Sequence, residues 1–522
     1  MEERPSKAGI WLVFIVLVAA ALRLFRLGAK GLWYDEACSI AMARVPLDVK
    51  NFFQTLAYKP IYFVLMKMWT LVFVMGEFWV RFPSALFGAL GIPAVYLLGK
   101  EISASKRTGL TAAFLLAISC FHIYHSQQAR HFTFMMFLTV VSFLCLIRAL
   151  RENNRGMRRW NMLVNILLIF LHPYALAVIL TQAGFVCVYT GAGPKREWLR
   201  SGGITLVFIL IWLLIANKPQ MFHNVWWIPR PDVGTLIETF KTFAYGGSRY
   251  GLDDYRLVFD CPWVVHVLAA IYLIFFLTGT ASFFHSFRKG RDPFKGLILL
   301  WLWVPIALAL LVSFVRPVYV IKHLMICLPA YGLITAAGIN SLRPRFAAAV
   351  CALIFALNLY PLGILYERDL NVPWKEGVRF LKSGIGKTDA VLVSTASELK
   401  PFLYYFGDRP GEALEGFDPY LYCRILGGRC PDMFYEKKNF IIGVPQNQGE
   451  GIESVKEDFE KRLKALRKSG AETVWLLASR WTGDAEQRNM LARLGEWYQL
   501  TRSQRTGGID IFEFKSASRK SA

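Results

Sequence analysis

Long apolar runs separated by short basic loops dominate this sequence and determine the solvent in which the chain can fold. The first run covers residues 9 to 27, and similar runs recur as far as residue 361. With 55% hydrophobic and only 19% charged residues among 522, the chain carries more apolar surface than a soluble core can hide. It is therefore predicted to be an integral membrane protein that crosses the bilayer many times.

The Lys and Arg residues collect in short loops, and they set the predicted orientation because basic loops stay on the cytoplasmic side. The basic loops are 100–107, 148–159, 195–200, 288–295 and 343–345. An apolar hairpin lies between each consecutive pair of these loops, so its tip is predicted to face outward. The N-terminus is predicted to be cytoplasmic, and the first run is expected to remain as an anchor because it lacks a small-residue cleavage site. An inner (cytoplasmic) membrane of the bacterial type is the expected location.

The same pattern predicts a mainly α-helical transmembrane bundle with about eleven crossings. The runs 61–76 and 83–99 lie where only an odd number of crossings fits, so one of them is expected to lie along the membrane or to re-enter it. After residue 361 the pattern changes to amphipathic helical stretches and alternating strands. We therefore expect a transmembrane domain over 1–361 and a small extracytoplasmic α/β domain over 362–522. The predicted strands are 391–394, 440–444, 473–478 and 509–514.

The formal net charge of +23 is interpreted as a membrane feature. The basic residues flank the apolar runs, where they meet anionic membrane lipid, and no nucleic-acid-binding motif accompanies them. The nine cysteines contain no CxxC pair, and most of them lie in apolar runs as small buried hydrophobes. Anionic lipid is thus an expected partner, whereas nucleic acid is not.

Two adjacent carboxylates, Asp35 and Glu36, follow the first apolar run in a loop that is predicted to face outward. The aromatic residues Trp33 and Tyr34 precede them, as is typical of the headgroup level of a membrane. Neighbouring residues of a helix point about 100° apart, so the two carboxylates are expected to have separate roles. Acidic pairs in loops are usually just solvated, but a carboxylate that acts with a phosphate-binding set suits general base catalysis.

The outward segments also bring a set of basic and imidazole side chains. They are Lys59, Arg130, His131, His172, Arg316, Lys322 and His323. A set of this kind suits a phosphate leaving group. One such residue alone commonly extends its charge to the interface or makes ordinary hydrogen bonds, so the functional hypothesis rests on the whole set. No spacing among the histidines matches a zinc motif, which leaves the metal unknown and a divalent ion as an open alternative.

Taken in order, the motifs resemble the type C superfamily of membrane glycosyltransferases, in the branch that contains protein O-mannosyltransferases and the lipid A aminoarabinose transferase. The segment LWYDEACSI (32–40) is similar to the first outer loop of that family, in which an Asp-Glu pair follows the first helix. KPIY (59–62) is similar to its basic-Pro-Pro segment, with Ile61 in place of the second proline. RFPSAL (81–86) is similar to its Arg-Leu-Pro-Ser-Ala element.

Later motifs continue the resemblance and include two departures. FHIYHSQQARHF (121–132) is similar to a segment that usually reads Gln-Glu-Ala-Arg, and Gln128 stands where Glu is common, so a candidate metal ligand is missing. HPY (172–174) matches a helix start with His and an aromatic residue. Lys322 and His323 lie where many relatives have Arg-Tyr, and NVPWKE (371–376) is similar to the linker into the outer soluble domain.

The resemblance implies a polyprenyl-phosphate-linked sugar as donor and an inverting direct displacement. It places the catalytic Asp at Asp35, with Glu36 beside it, and implies that Asp35 deprotonates an acceptor hydroxyl while the cations hold the departing phosphate. The acceptor stays open among a protein, lipid A and an envelope glycan, and the sugar is not specified.

Three other classes remain as alternatives. A transporter or flippase of lipid-linked saccharides would also be polytopic and basic, but the apolar runs lack the central carboxylates of ion-coupled carriers. An oligosaccharide ligase would share the lipid-linked donor, and a silent scaffold would only bind partners. Replacing Asp35 separates these classes, because only an enzyme that uses this base should lose activity.

Overall fold

The computed structural model describes most of the chain, in segments separated by short gaps. The described residues are 7–45, 59–189, 191–216, 228–247, 261–368, 372–386, 389–394, 398–407, 433–436, 439–443, 463–464, 466, 470–479, 484–506 and 508–516. The chain divides into two compact units: the first contains 1–27, 56–64 and 81–370, and the second contains 28–55, 65–80 and 371–522. The segment that carries Asp35 and Glu36, which we call the acidic loop, thus belongs to the same unit as the C-terminal part. The linear division expected after residue 361 stays a proposal.

Helices make up most of the described part of the chain before residue 370. They are α1 (Lys7–Leu24), α2 (Tyr34–Arg44), α3 (Pro60–Val72), α4 (Glu77–Ser103), α5 (Lys106–Ala117), α6 (Cys120–Ser126), α7 (Phe132–Arg151), α8 (Arg155–Ile169), α9 (Ala175–Tyr189), α10 (Ala192–Ala216), α11 (Val233–Tyr245), α12 (Pro262–Arg288), α13 (Pro293–Val315), a 3-10 helix (Ile321–Cys327), α14 (Leu328–Ile339) and α15 (Pro344–Glu367). The expected helical bundle is confirmed.

Within the described residues, eight helices are long and apolar enough to cross a membrane. They are α1, α4, α7, α10, α12, α13, α15 and the continuous pair of the 3-10 helix and α14. A ninth span results if α5 and α6, which meet at a bend of 61°, are counted together. The apolar helices α3 and α9 have 13 and 15 residues, which is short of the roughly 20 residues that a bilayer core requires. The expected count of about eleven crossings stays a prediction.

The runs 61–76 and 83–99, which raised the parity problem, differ in length as helices. The first forms α3, which is about 20 Å long at a rise of about 1.5 Å per residue. The second lies in the 27-residue α4, which continues through Pro83 and Pro93. By length, α3 is therefore the segment of the two that falls short of crossing.

In the first unit, the guanidinium of Arg23 at the end of α1 is fully buried against the break between α5 and α6. It donates to the carbonyls of Leu116 and Ala117 at 3.1 Å each and to that of Ala19 at 2.8 Å. Its Nη2 lies 2.6 Å from Nδ1 of His122. Because a helix end leaves carbonyls without helical partners and lipid cannot satisfy them, Arg23 supplies the missing donors.

The helices α12 and α14 cross at two glycines. A Cβ built on Gly279 would lie 1.9 Å from the carbonyl oxygen of Ile334, and one on Gly338 would lie 1.9 Å from that of Phe275. The two backbones are therefore in direct contact, as small residues permit in membrane helix pairs. Any side chain at either position has to push the helices apart.

The second unit contains an α/β part built from the C-terminal residues. It comprises α16 (Trp374–Gly384), α17 (Leu399–Phe406), α18 (Asp484–Gly495), β1 (Ala390–Val393), β2 (Met433–Glu436), β3 (Asn439–Gly443), β4 (Thr473–Ser479), β5 (Tyr498–Thr506) and β6 (Ile509–Ser516). The strands form one sheet in the order β2-β3-β1-β4-β6-β5. β1 is parallel to β3 and β4, whereas β2 and β6 run antiparallel to β3 and β4.

The four predicted strands correspond to β1, β3, β4 and β6, which confirms the small α/β fold. The buried side chains of the sheet include Leu392, Leu476 and Phe514, and they pack with Met490 and Leu494 of α18. β5 was missed because this edge strand exposes almost every residue after its first, and a strand of that kind has no apolar alternation.

Candidate functional site

The two carboxylates of the acidic loop both lie in the first turn of α2 in the second unit. Trp33 is the N-cap residue, and Asp35 and Glu36 occupy the second and third helical positions. The exposed backbone N–H groups of a helix start favour negative charge, so this turn is a stable place for two carboxylates. It also directs their side chains to different sides of the helix.

The burial of Asp35 and Glu36 separates their roles. Glu36 is fully buried, and its Oε2 accepts a hydrogen bond from the backbone N–H of Trp33 at 3.4 Å. Asp35 is half-buried, and its backbone carbonyl accepts from Oγ of Ser39 at 2.9 Å. Glu36 therefore stabilises the start of the helix, whereas Asp35 keeps part of its side chain accessible.

Residues of the C-terminal part hold the loop in front of α2. The hydroxyl of Tyr405 accepts from the backbone N–H of Leu32 at 2.8 Å and donates to Oε1 of Glu77 at 3.4 Å. The same Glu77 carboxylate forms an ion pair with Lys375 at 2.7 Å. These contacts anchor the acidic loop to α16 and α17 within the second unit.

The three predicted histidines come together in the first unit, where their imidazole rings contact one another. The centroids of His131 and His172 lie 4.9 Å apart with an angle of 16° between the rings, and those of His172 and His323 lie 4.5 Å apart. The ring of Tyr174 contacts that of His323 edge-on, with the centroids 5.1 Å apart. We call His131, His172 and His323 the imidazole cluster.

Three predicted cations surround the imidazole cluster. Lys59 and Lys322 are 7% and 6% exposed, and Arg130 is half-buried with its guanidinium 5.6 Å from the ring centroid of Phe132. Lys59 and Arg130 lie close enough to act electrostatically on all three rings, and Lys322 acts on His323. Three basic side chains thus lie near the imidazole cluster.

Ser84, from the RFPSAL motif, fixes the backbone that carries Arg130. Its Oγ donates to the carbonyl of Arg130 at 2.8 Å and accepts from its N–H at 3.3 Å. Its own carbonyl accepts from Oγ1 of Thr133 at 2.8 Å. The serine of this motif thus holds Arg130 at the start of α7.

Burial lowers the pKa of His131 and His172 well below the usual range, and the positive charges of Lys59 and Arg130 lower it further. These rings are therefore neutral at pH 7. The Nε2 atom of His131 is buried and has no hydrogen-bond partner among the described residues. In its protonated tautomer, this nitrogen is a ready donor for an anion that enters the cluster.

The lowered pKa values predict that the protein loses stability in mild acid. In the unfolded chain these histidines take up protons near pH 6.5, whereas in the folded chain they do so only at lower pH. The unfolded state therefore binds more protons as pH falls below about 6.5, and folded stability falls with it. Thermal denaturation of the detergent-purified protein between about pH 7.5 and about pH 5.5 measures this slope.

Two variants test the source of the slope. His131→Asn removes one imidazole and should flatten the dependence of Tm on pH. Tyr174→Phe removes a hydroxyl that donates to the carbonyl of Val318 at 2.7 Å, so it should lower Tm without changing the slope. An equal slope in wild type and His131→Asn would contradict the assignment.

The predicted set is only partly assembled around the imidazole cluster. Arg316 is half-buried at the C-cap of α13 and is not among the cations whose charge acts on the three rings. Two aromatic residues at the cluster were not among the predicted site residues: Tyr62, whose ring centroid lies 5.8 Å from that of His131, and Tyr174. Tyr62 belongs to the motif KPIY with Lys59, and Tyr174 belongs to the motif HPY with His172. Their place in these motifs was the signal that could have identified them as site residues.

No group of three or more His, Cys, Asp or Glu side chains in the described part of the chain is arranged to hold a metal ion. The rings of His131 and His172 are nearly parallel, whereas those of His172 and His323 are tilted by 49°. The residues described thus do not fit a metal centre of that size.

Comparisons with known proteins place this fold in a class. ArnT from Cupriavidus metallidurans superimposes in its apo state with a TM-score of 0.63 at 12% identity, over 97% of this chain and 98% of that one. Its undecaprenyl phosphate complex gives 0.61. The archaeal oligosaccharyltransferase AglB from Archaeoglobus fulgidus, in complex with an inhibitory peptide and a dolichol-phosphate, gives 0.53 at 13% identity, over 99% of this chain and 75% of that one.

The chain thus shares its polytopic fold with ArnT and AglB, and at these identities the likeness is one of fold alone. The family model described as dolichyl-phosphate-mannose-protein mannosyltransferase matches residues 48–210. No curated protein sequence matches the chain significantly. The resemblance inferred from the motifs is confirmed by the family match and the shared fold.

Proposed function

We propose that this protein transfers a sugar from a polyprenyl-phosphate donor to an acceptor hydroxyl at the extracytoplasmic face of an inner (cytoplasmic) membrane. The observation that carries the proposal is the imidazole cluster with its surrounding cations Lys59, Arg130 and Lys322. A set of Lys and Arg side chains suits a phosphate, which supplies negative charge and several acceptor oxygens. Neutral imidazoles add donors without adding further charge.

In the proposed reaction Asp35 acts on the acceptor, and the cations act on the phosphate of the donor. Asp35 takes the proton of the acceptor hydroxyl, and the resulting oxygen attacks the anomeric carbon of the donor. A new glycosidic bond forms as the bond from that carbon to the phosphate oxygen breaks, and polyprenyl phosphate leaves with the electron pair. The anomeric centre inverts because the attack comes from the face opposite the leaving group. The cations stabilise the charge that develops on the phosphate.

Two structural neighbours support a lipid-phosphate donor. ArnT has been solved with undecaprenyl phosphate and AglB with a dolichol-phosphate. The acceptor remains open among a protein, lipid A and an envelope glycan, and the transferred sugar among hexoses and pentoses. Glu36 and Arg316 are assigned supporting roles, Glu36 in holding the acidic turn and Arg316 in binding substrate. Anionic lipid is proposed to contact the basic loops.

The likeness to AglB favours a second candidate, the transfer of an oligosaccharide from a lipid carrier. The TM-score is lower than with ArnT, and this chain covers only 75% of AglB, so the transfer of one sugar is the better supported function. The mass of the glycan added to the acceptor distinguishes the two.

The experiment is transfer of label from a radiolabelled polyprenyl-phosphate sugar in membranes that contain or lack the protein. We expect a labelled product that requires the protein, and we expect added polyprenyl phosphate to inhibit its formation while the corresponding polyprenol does not. Lipid-linked sugar that crosses the bilayer without a new glycosidic bond would establish a transporter instead. Equal labelling in both membranes would contradict the proposal.

A further inference from the structure

The helix α17 carries one charged residue, Lys400, in an otherwise apolar sequence, LKPFLYYF. Lys400 is only 3% exposed, although a lysine is almost always exposed when nothing nearby compensates its charge. Burial of an ammonium group is costly unless the surrounding groups stabilise it. The neighbours of this ammonium therefore indicate what it does.

Two contacts of Lys400 fall on α2, the helix that begins with the acidic turn. Its Nζ donates to Sγ of Cys38 at 3.3 Å and lies 5.1 Å from the centroid of the Tyr34 ring. Tyr34 and Cys38 are four residues apart, so they lie on the same face of α2 on consecutive turns. Asp35 lies between them in the sequence. Lys400 thus contacts α2 at residues that precede and follow Asp35.

The electrostatics of Cys38 agree with this geometry. Burial raises the pKa of the Cys38 thiol, Lys400 acts in the opposite direction, and the carboxylate of Asp35 raises it again. Both charges therefore act on the same sulfur atom. The ammonium of Lys400 and the carboxylate of Asp35 belong to one local group of charges within the second unit.

We propose that Lys400 is a positioning residue for sugar transfer, which holds the first turn of α2 so that Asp35 meets the acceptor hydroxyl. The proposal rests on the proposed function, in which Asp35 is the base. Through Lys400, the C-terminal part of the chain contributes directly to the geometry of catalysis. Displacement of a general base by about 1 Å lowers the rate on the order of a hundredfold. Loss of the contacts of Lys400 with Tyr34 and Cys38 should therefore slow the reaction.

The test compares Lys400→Met and Lys400→Arg with the control Lys382→Met. Lys382, in α16, donates to the carbonyls of Tyr405 and Gly407 at 2.8 and 2.6 Å. It therefore ties down the end of α17. Lys382→Met removes the same charge and the same number of atoms, and it reports on the stability of α17.

We expect Lys400→Met to lower kcat by about 10- to 100-fold and to leave KM for the lipid donor within about twofold of wild type. Lys400→Arg keeps a cation beside the Tyr34 ring and should recover most of the loss, because guanidinium also binds aromatic faces. Lys382→Met should keep kcat per folded molecule close to wild type. If Lys400→Met does not fold, Tyr34→Leu removes the contact of Lys400 with the Tyr34 ring and should lower kcat to a smaller extent.

Two results would overturn the proposal. The first is a wild-type kcat in Lys400→Met, or in Tyr34→Leu if Lys400→Met does not fold. The second is an equal loss of kcat in Lys400→Met and Lys382→Met. The second result would assign Lys400 a purely structural role. Asp35→Asn, measured in parallel, separates this proposal from the proposed function. If Asp35→Asn is inactive while Lys400→Met behaves as wild type, only the role of Lys400 fails; if Asp35→Asn is fully active, the base assignment fails first.

Discussion

Asp35→Asn is expected to lower sugar transfer by about 10²- to 10⁴-fold, the usual contribution of a general base. The amide has nearly the same shape as the carboxylate but cannot accept the proton of the acceptor hydroxyl. The change should hardly affect folding, because Asp35 is half-buried and a carboxylate in a first helical turn contributes only about 0.3–1 kcal/mol through the helix dipole. The loss should therefore appear in kcat, with KM for the donor nearly unchanged.

The matched control is Asp232→Asn. Asp232 is the N-cap residue of α11 and accepts from the backbone N–H of Thr235 at 2.7 Å. Asn is as good an N-cap residue as Asp, so this variant undergoes the same chemical change without loss of a proposed catalytic group. Labelled-sugar transfer at matched expression measures both variants. Equal rates in the two would show that Asp35 is not the base.

Gly338→Ala is expected to destabilise the protein by more than about 3 kcal/mol, at or beyond the upper end of the usual cost of overpacking. The added Cβ would lie 1.9 Å from the carbonyl oxygen of Phe275. The obstacle is helix backbone, so a side-chain rotation cannot relieve it. The helices α12 and α14 have to separate, and the packing along their whole contact is weakened.

Gly332→Ala is the control for this change. It lies in the same helix, α14, and a Cβ at this position meets nothing within 4 Å. In a helix, Ala is favoured over Gly by about 1 kcal/mol, so Gly332→Ala should be neutral or stabilising. Thermal inactivation in detergent at equal protein concentration compares the two variants. A Gly338→Ala protein as stable as Gly332→Ala would contradict the close crossing.

The membrane fold was predictable because apolar runs, basic loops and alternating strands are local patterns. The close crossing was not predictable: α14 contains two glycines, Gly332 and Gly338, and only Gly338 meets the backbone of α12, a difference that the sequence does not indicate. Arg23 gave no signal for a similar reason. A basic residue at the end of an apolar run usually extends its charge to the interface, and only the break between α5 and α6 requires it to be buried.

The candidate site shows the same limit. The imidazole cluster was predictable as a set because His131, His172 and His323 were all placed in outward segments. The contact between their rings was not predictable, since it depends on how the helices pack. Lys400 was missed because a lysine in an amphipathic stretch normally points into solvent, and its burial results from the packing of α17 on α2, which is far away in the sequence.

Arg23 has a consequence for the order in which the protein is assembled. Its partners Leu116, Ala117 and His122 lie 93, 94 and 99 residues further along the chain, so α1 enters the membrane well before they are synthesised. Until then, the guanidinium is most stable at the headgroup level. It leaves that level only when α5 and α6 have been inserted and present their carbonyls. The helix α1 is thus fixed in place late, because its docking requires that α5 and α6 have already been inserted.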